Sequence, residues 1–490
     1  MLKNKLALLS ALICTLALGV LAAPAPALAS HNQTVYFEAP NELLSPVTRP
    51  AAFEQLKALG VKALRVELSW YEVAPSPASA TKPNFEATNP ESYNWSVYDP
   101  VLAEAQKLGW PVLLTVTSPV PSWATTNHQA PYITSPNAQD FEQFMTAVAH
   151  HYGSEVSLYS IWNEPNHPAF LLPQWKSNGT PSSPRIYRGL YQAGYAGLQA
   201  AGIAHPRVLM GETAPFGYDT VNVRKEKSAA LLHDVAPLAF LRGVLCLNAH
   251  YKRAGSCGLL QSTGFADHAY TLPAGPYYKP SAPGEADDVT IGALSRLTNA
   301  LNKAANAHAI PAGLPIYLTE FGVQTNPPNK QLGVSFAKQA EFDAIDEHIA
   351  YSNPRVAAFS QYLLKDDPLG GEPGASTRGG VIGFQTGLET VTGAHKPLYS
   401  AWPVPLTVTK HGHGFSLWGL VRAANGATTL TVLVQVKGSK KYRTLKTVKT
   451  NSLGYWSFNS STKGVAWRVR WVSPAGVKYE GPPIASYPAA

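Results

Sequence analysis

Little of this 490-residue sequence is charged: Asp, Glu, Lys and Arg supply 14% of it against 45% hydrophobic residues, and only three residues are cysteine. That balance excludes wholesale disorder and fits a chain that buries a sizeable core. Acid is scarcest near the C-terminus, where Glu480 faces twelve Lys and Arg after Pro405. Before Leu406 there are 27 basic and 30 acidic residues, so the net charge of +8 reports a basic tail, not a basic protein. The tail has no aromatic-interleaved RNA signature and no zinc spacing, which argues against a nucleic-acid partner. A solvated basic face is the plain reading; association with a cell surface or an acidic polymer is the other. Apolar runs long enough to cross a bilayer are missing after residue 23, so no membrane span is expected. Forty-one prolines and 38 glycines make the chain rich in loops.

The one long apolar run, 6–23, follows Lys3 and Lys5 and precedes Pro24, Pro26 and Ala27-Leu28-Ala29. Charged, apolar and small-residue parts in that order read as a cleaved secretory signal peptide, residues 1–29, and predict an extracellular protein. Cys14 leaves with it. The remaining pair, Cys246 and Cys257, is then predicted to be bonded in an oxidising compartment, stabilising the fold by on the order of 3 kcal/mol.

Between residues 34 and 402 short β-rich runs alternate eight times with longer amphipathic stretches. Runs at 35–39, 63–70, 111–118, 157–164, 207–213, 265–270, 315–321 and 356–364 are apolar and β-branched, as strands covered on both faces require. Helical patterns occupy 50–59, 97–108, 140–152, 186–201, 229–241, 291–308 and 336–351, with a short last one at 398–402. The expected fold class is α/β, a (β/α)8 TIM barrel over residues 30–404. Beyond Pro405 the period falls to two, at 415–421, 428–436, 443–449, 455–458 and 467–472. Turn signals such as Asn425-Gly426 separate these runs, which predicts a small C-terminal antiparallel β-sandwich over residues 405–490. Trp418, Trp456, Trp467 and Trp471 alternate within it and read as core, with sugar binding the alternative.

Barrel active sites form at the C-terminal ends of strands, so polar residues there carry the chemistry. Glu164 ends the fourth run in Trp162-Asn163-Glu164-Pro165-Asn166, and Glu320 ends the seventh in Thr319-Glu320-Phe321-Gly322. Strands four and seven face each other across an eight-stranded mouth. Two carboxyls in one cleft suit glycoside hydrolysis, where one attacks the anomeric carbon while the other, protonated, serves the departing oxygen.

The two motifs together resemble the retaining glycoside hydrolases of clan A, with a texture between the cellulase-like family 5 and family 39. The resemblance implies Glu164 as acid/base and Glu320 as nucleophile in a two-step double displacement of β-linked glycans or glycosides. It further implies that Asn163 bonds the sugar 2-hydroxyl, that Arg65 stands beside the nucleophile, and that His268 and Tyr270 form a His-x-Tyr pair. In that pair the phenol bonds the nucleophile and the imidazole contacts sugar or acid/base.

Trp70, Trp123 and Trp162 are candidate sugar-stacking walls or packing residues. Glu67 and Glu212 lie near strand ends, where they contact hydroxyls, tune Glu164 or pair within the barrel. Relatives often end strand eight with a tryptophan; here stands Gln361-Tyr362-Leu363-Leu364. Asp366 and Asp367 open a Gly-rich loop, 370–380, readable as a lid or as exposed chain. His411-Gly412-His413 has no carboxylate or cysteine close by and is not read as a metal site. No cofactor is called for, the partner is an oligo- or polysaccharide, and the oligomeric state is left open. A transglycosylase using a sugar hydroxyl in place of water, and a non-catalytic glycan-binding surface protein, are the competing functions.

Overall fold

The computed structural model describes residues 33–222, 232–368 and 383–488. The signal segment with Cys14, the Gly-rich segment 370–380 and the start of the helix expected at 229–241 lie outside these residues. Eight parallel strands, β1 (Thr34–Glu38), β2 (Leu64–Ser69), β3 (Val112–Thr117), β4 (Val156–Ile161), β5 (Val208–Thr213), β6 (Gly264–Asp267), β7 (Ile316–Leu318) and β8 (Val356–Tyr362), close in chain order, β8 pairing with β1. The main connecting helices are α1 (Arg49–Ala58), α2 (Asp99–Lys107), α3 (Ala138–Tyr152), α4 (Ser183–Ala200), α5 (Pro237–Val244), α6 (Leu294–Asn306) and α7 (Phe336–Ser352); the five-residue α8 (Pro397–Ala401) follows β8. The helix expected at 229–241 is corrected to α5, because Pro237 fits the first helical turn and opens it there.

Strand alternation builds the barrel interior. Tyr36, Ala63, Leu113, Leu158, Leu209, Ala266, Tyr317 and Ala358, one at each strand, form a single buried apolar cluster. Two residues further along, on the same face, come Glu38, Arg65, Thr115, Ser160, Gly211, His268, Thr319 and Ser360, all buried. An apolar floor thus supports a polar ring, and the ring faces the mouth. Outside the barrel the helices pack through aromatic residues such as Phe141 and Phe144 of α3, whose N-terminus Asn137 caps by accepting from the Gln139 and Asp140 amides.

The C-terminal region forms two antiparallel sheets. One has the order β13-β10-β9 and the other β12-β11-β14-β15, with β9 (Leu406–His411), β10 (Gly414–Leu420), β11 (Thr429–Val436), β12 (Arg443–Lys449), β13 (Tyr455–Ser460), β14 (Gly464–Val472) and β15 (Lys478–Glu480). Strands β9 and β15 add to the five runs read from the sequence; three residues are too few for β15 to display a period. Trp456, Trp467 and Trp471 are buried in its core, while Trp418 is buried against Tyr351 of α7. Arg422 spans the seam with the barrel: its guanidinium lies 3.8 Å over the Trp402 ring, and Nη2 donates to Glu347 of α7 at 2.8 Å. Cys246 and Cys257 are joined by a disulfide between α5 and β6. No described helix is long and apolar enough to cross a membrane.

Candidate active site

Arg65 is the hub of the mouth. Rising from β2 and only 1% exposed, its Nη1 donates to Glu320 at 3.1 Å and also to Glu38 at the end of β1. Its Nη2 reaches Glu67 at 2.9 Å, Asn163 Oδ1 at 2.8 Å and Glu212 at 3.2 Å. Four carboxyls from β1, β2, β5 and the turn after β7 therefore share one guanidinium, whose planar fork of donors suits several acceptors at once.

Glu212 enters this group by a break in alternation. Parity along β5 points Gly211 inward, but the register with β6 shifts between Gly211 and Thr213. Gly211 adopts φ +116° and Glu212 φ +52°, which turns the carboxyl inward as a bulge does. Glu212 there accepts from Thr319 Oγ1 at 2.7 Å and meets His268 Nε2 at 2.7 Å.

The two motif glutamates lie just beyond their strands, since β4 ends at Ile161 and β7 at Leu318. Positive φ at Trp162 (+71°) and Glu164 (+38°) ends the ladder and aims Glu164 across the mouth. His268 Nδ1 meets Glu164 Oε1 at 2.9 Å and lies 3.7 Å from Glu320 Oε2, while the Tyr270 hydroxyl donates to Glu320 Oε1. One ligating atom each of Glu164, His268 and Glu320 fall within 4.8 Å of one another, the one such three-donor set among the described residues. Both ring nitrogens of His268 already bond carboxylates, so a cation there would have to displace Glu164.

Burial and partners oppose each other in this cluster. Burial raises the Glu164 pKa, but the hydrogen bond and charge of His268 outweigh it and hold the carboxyl below its ordinary range. Burial likewise opposes ionisation of Glu212, yet Arg65 and His268 bring it down to about 2. His268 itself is disfavoured as a cation by burial, and the charges of Glu320, Glu164 and Glu212 nevertheless hold it well above the ordinary imidazole value. Glu38 is pushed well up by burial against the pull of Arg65, and Glu67 rises to about 7 for the same reason, with Glu320 adding repulsion.

Arg65, Asn163, Glu164, Glu212, His268, Tyr270 and Glu320 thus converge on one cleft. The tryptophans do not all join them. Trp70 and Trp162 are fully buried, Trp70 stacked on Phe144 at 5.1 Å and Trp162 packed edge-on against Phe141, so neither ring has a face free to stack on a sugar. Both rings are taken up by α3, Trp70 by Phe141 and Phe144 and Trp162 by Phe141. Trp123 also packs edge-on to Trp70, but it borders a separate cavity of about 400 Å³ with Thr126, Ser135 and Asn137. Asp366 and Asp367 are buried and bonded, to Lys396 at 2.6 Å and to Asn41 at 2.9 Å, so exposure does not explain them.

Sequence reasoning missed Glu38, though its place as the last residue of a barrel strand was the signal that singled out the others. It also left Tyr362 without a partner: the half-buried ring stands edge-on to Phe384 at 5.5 Å, and Phe384 reaches Tyr270 at 5.7 Å.

A family model described as cellulase, glycosyl hydrolase family 5, matches residues 28–214. That span holds Arg65, Asn163, Glu164 and Glu212 and stops before Glu320. Among solved structures, a glucosidase from Croceicoccus marinus is 9% identical, covering 90% of this chain and 95% of that one with a TM-score of 0.51. A family 39 glycoside hydrolase from the gut symbiont Bacteroides cellulosilyticus WH2 is 13% identical, with 87% and 81% covered and a TM-score of 0.48. A monomeric β-xylosidase from Caulobacter crescentus CB15 is 15% identical, with 89% and 95% covered and a TM-score of 0.48. No curated protein matches the chain. At such identities the likeness is one of fold. The chain is a glycoside-hydrolase-like (β/α)8 barrel whose mouth holds two largely enclosed glutamates beside one histidine.

Proposed function

We propose that the protein is a secreted retaining glycoside hydrolase that cleaves β-linked glycans or glycosides, with Glu320 as nucleophile and Glu164 as acid/base. The observation that carries this reading is the approach of the two glutamates, oxygen to oxygen within 4.8 Å, from opposite sides of the barrel mouth. Inverting chemistry needs roughly 6.5 to 9.5 Å to seat a water between its carboxyls, whereas retention uses about 5 to 5.5 Å. Attack by Glu320 on the anomeric carbon, with a proton given to the leaving oxygen by Glu164, forms a glycosyl-enzyme; water activated by Glu164 then resolves it.

The remaining residues support those two. Arg65 and Tyr270 each donate to a different oxygen of Glu320, which orients the carboxylate for attack. Asn163, whose Oδ1 is taken by Arg65, keeps its amide group to offer a sugar hydroxyl. The division into a signal peptide at residues 1–29, a catalytic barrel at 30–404 and a sandwich at 405–490 belongs to the same proposal. The basic sandwich is assigned a structural or surface-associating role.

A panel of chromogenic β-glycosides and polysaccharides tests the reading. Expected are turnover of at least one substrate, products that keep the anomeric configuration by NMR, and a 2-fluoroglycoside adduct on the peptide containing Glu320. Inverted products, or an adduct on another residue, would overturn it.

A further inference from the structure

We propose that the proton Glu164 delivers to the leaving oxygen is stored at rest on Nδ1 of His268, and that Glu212 is the positioning residue that keeps it there. This rests on the assignment of Glu164 as acid/base.

His268 is fully buried, and each of its ring nitrogens faces one carboxylate, Nε2 to Glu212 at 2.7 Å and Nδ1 to Glu164 at 2.9 Å. Glu212 also accepts from Thr319 at 2.7 Å and from Arg65 at 3.2 Å. An ionised carboxylate only accepts, so Nε2 must carry a hydrogen. One further proton then occupies the bond between Nδ1 and Glu164. With that proton on nitrogen the pair is an imidazolium and a carboxylate; with it on oxygen, a neutral imidazole and a carboxylic acid. The net charge is the same in both, and one hydrogen bond separates them. The anions around the ring, Glu164, Glu212 and Glu320, favour the nitrogen at rest, with Glu67 and Asp267 acting in the same sense from farther away. Arg65 acts against it, bonding Glu212 Oε2 as Nε2 does and Glu320 Oε2 near Nδ1, but its single charge is divided among four carboxyls.

Reaction reverses the preference. As Glu320 bonds to the anomeric carbon its negative charge is consumed, and the glycosidic C–O bond breaks with its electron pair moving to the leaving oxygen. That oxygen takes a proton from the Glu164 carboxyl, which is supplied from Nδ1. Imidazole is left neutral and Glu164 ionised. In the second half, water attacks the glycosyl-enzyme, Glu164 takes the water proton, Nδ1 recovers it, and Glu320 leaves as carboxylate. The storing group is therefore discharged once and recharged once per turnover. It also resolves the conflict of an acid catalyst held below its ordinary pKa: the acid is the pair, and the pair titrates as one unit.

The test uses the full-length enzyme and its best substrate, with His268→Gln and Glu212→Gln. In kcat/KM against pH, the alkaline limb of the native enzyme reports loss of the shared proton. It should move toward acid by one pH unit or more in H268Q, and by less in E212Q. A ring that only packs would lower activity and leave the limb in place, which would overturn the proposal. Aryl glycosides separate the steps: H268Q should lose 10²-fold or more with a poor leaving group and under 10-fold with dinitrophenolate, which needs no proton. Equal losses on both would also overturn it. Should H268Q fail to fold, ¹⁵N NMR of native His268 decides: both ring nitrogens protonated at pH 7 supports storage, and one protonated nitrogen refutes it. Absence of any turnover, or activity unaffected by Glu320→Gln, would instead refute the hydrolase reading itself.

Discussion

Two groups of buried acids lie in different parts of the molecule, one at the barrel mouth and one at the seam with the sandwich, and they are handled differently. At the mouth, Glu38, Glu67, Glu164, Glu212 and Glu320 each hold at least one bond from Arg65, His268 or Tyr270. At the seam between α7 and the sandwich, Asp343, Asp346 and Glu347 are buried within about one helical turn, with Arg422 the cation bonded to Glu347. There Asp343 Oδ2, both Asp346 oxygens and Glu347 Oε1 have no protein partner among the described residues. A buried carboxylate without donors is costly, and the cheaper state is the protonated acid. Burial raises Asp343 to about 7, with Glu347 adding repulsion, and raises Asp346 far above its ordinary value, with Asp343 adding to it. Density of buried acid is therefore not by itself a signature of catalysis. What marks the mouth is donors aimed at each carboxylate, which at Glu164 and Glu212 outweigh burial and hold the charge out of water.

Paired substitutions separate the two groups of acids. Glu320→Gln should reduce kcat by at least about 10⁴-fold with an unchanged melting temperature, whereas Asp346→Asn should leave kcat within about 2-fold; steady-state kinetics and calorimetry check both. Loss of activity in D346N would place the seam in the mechanism. Next come the guanidinium groups. Arg65→Met strips four carboxyls of their shared cation and Arg422→Met strips Glu347 of its own, and each should cost at least about 3–5 kcal/mol by denaturant unfolding. Only R65M should also abolish turnover in the folded fraction.

The smallest effect concerns pH. Asp343 has a folded pKa near 7 against an ordinary 3.8, a raised value. Protonation is therefore tighter in the folded state, so the stability it contributes is full below about pH 4, falls as pH rises toward 7, and is level above. Asp343→Asn removes the titration. It should match the native protein at pH 4 and exceed it by roughly 1–3 kcal/mol at pH 8, read from thermal unfolding at both values. A constant offset between the two would show that folding does not raise the Asp343 pKa.

Much of this was legible in residue order. Eight strand and helix runs appear as a change of hydrophobic period, and the two glutamate motifs fall near ends of strands that a closed barrel sets opposite each other. Legibility failed where neighbours in space are remote in sequence. Trp70 and Trp162 look like sugar walls because they follow strands; only packing against α3 reveals that their faces are used. Glu212 has the wrong parity for an inward residue, and its bulge depends on the register with β6. Nothing in the local sequence marks Asp343 and Asp346 as buried; only the packing around α7 encloses them.

By itself, then, the sequence determined the period of each segment, the chemistry at each strand end and the even pair of cysteines, because these depend on local backbone preference and side-chain type. Tertiary structure alone decided which acids share Arg65 and which are stranded at the seam. That choice depends on closure of β8 onto β1 and on the docking of the sandwich, and neither leaves a trace in local periodicity.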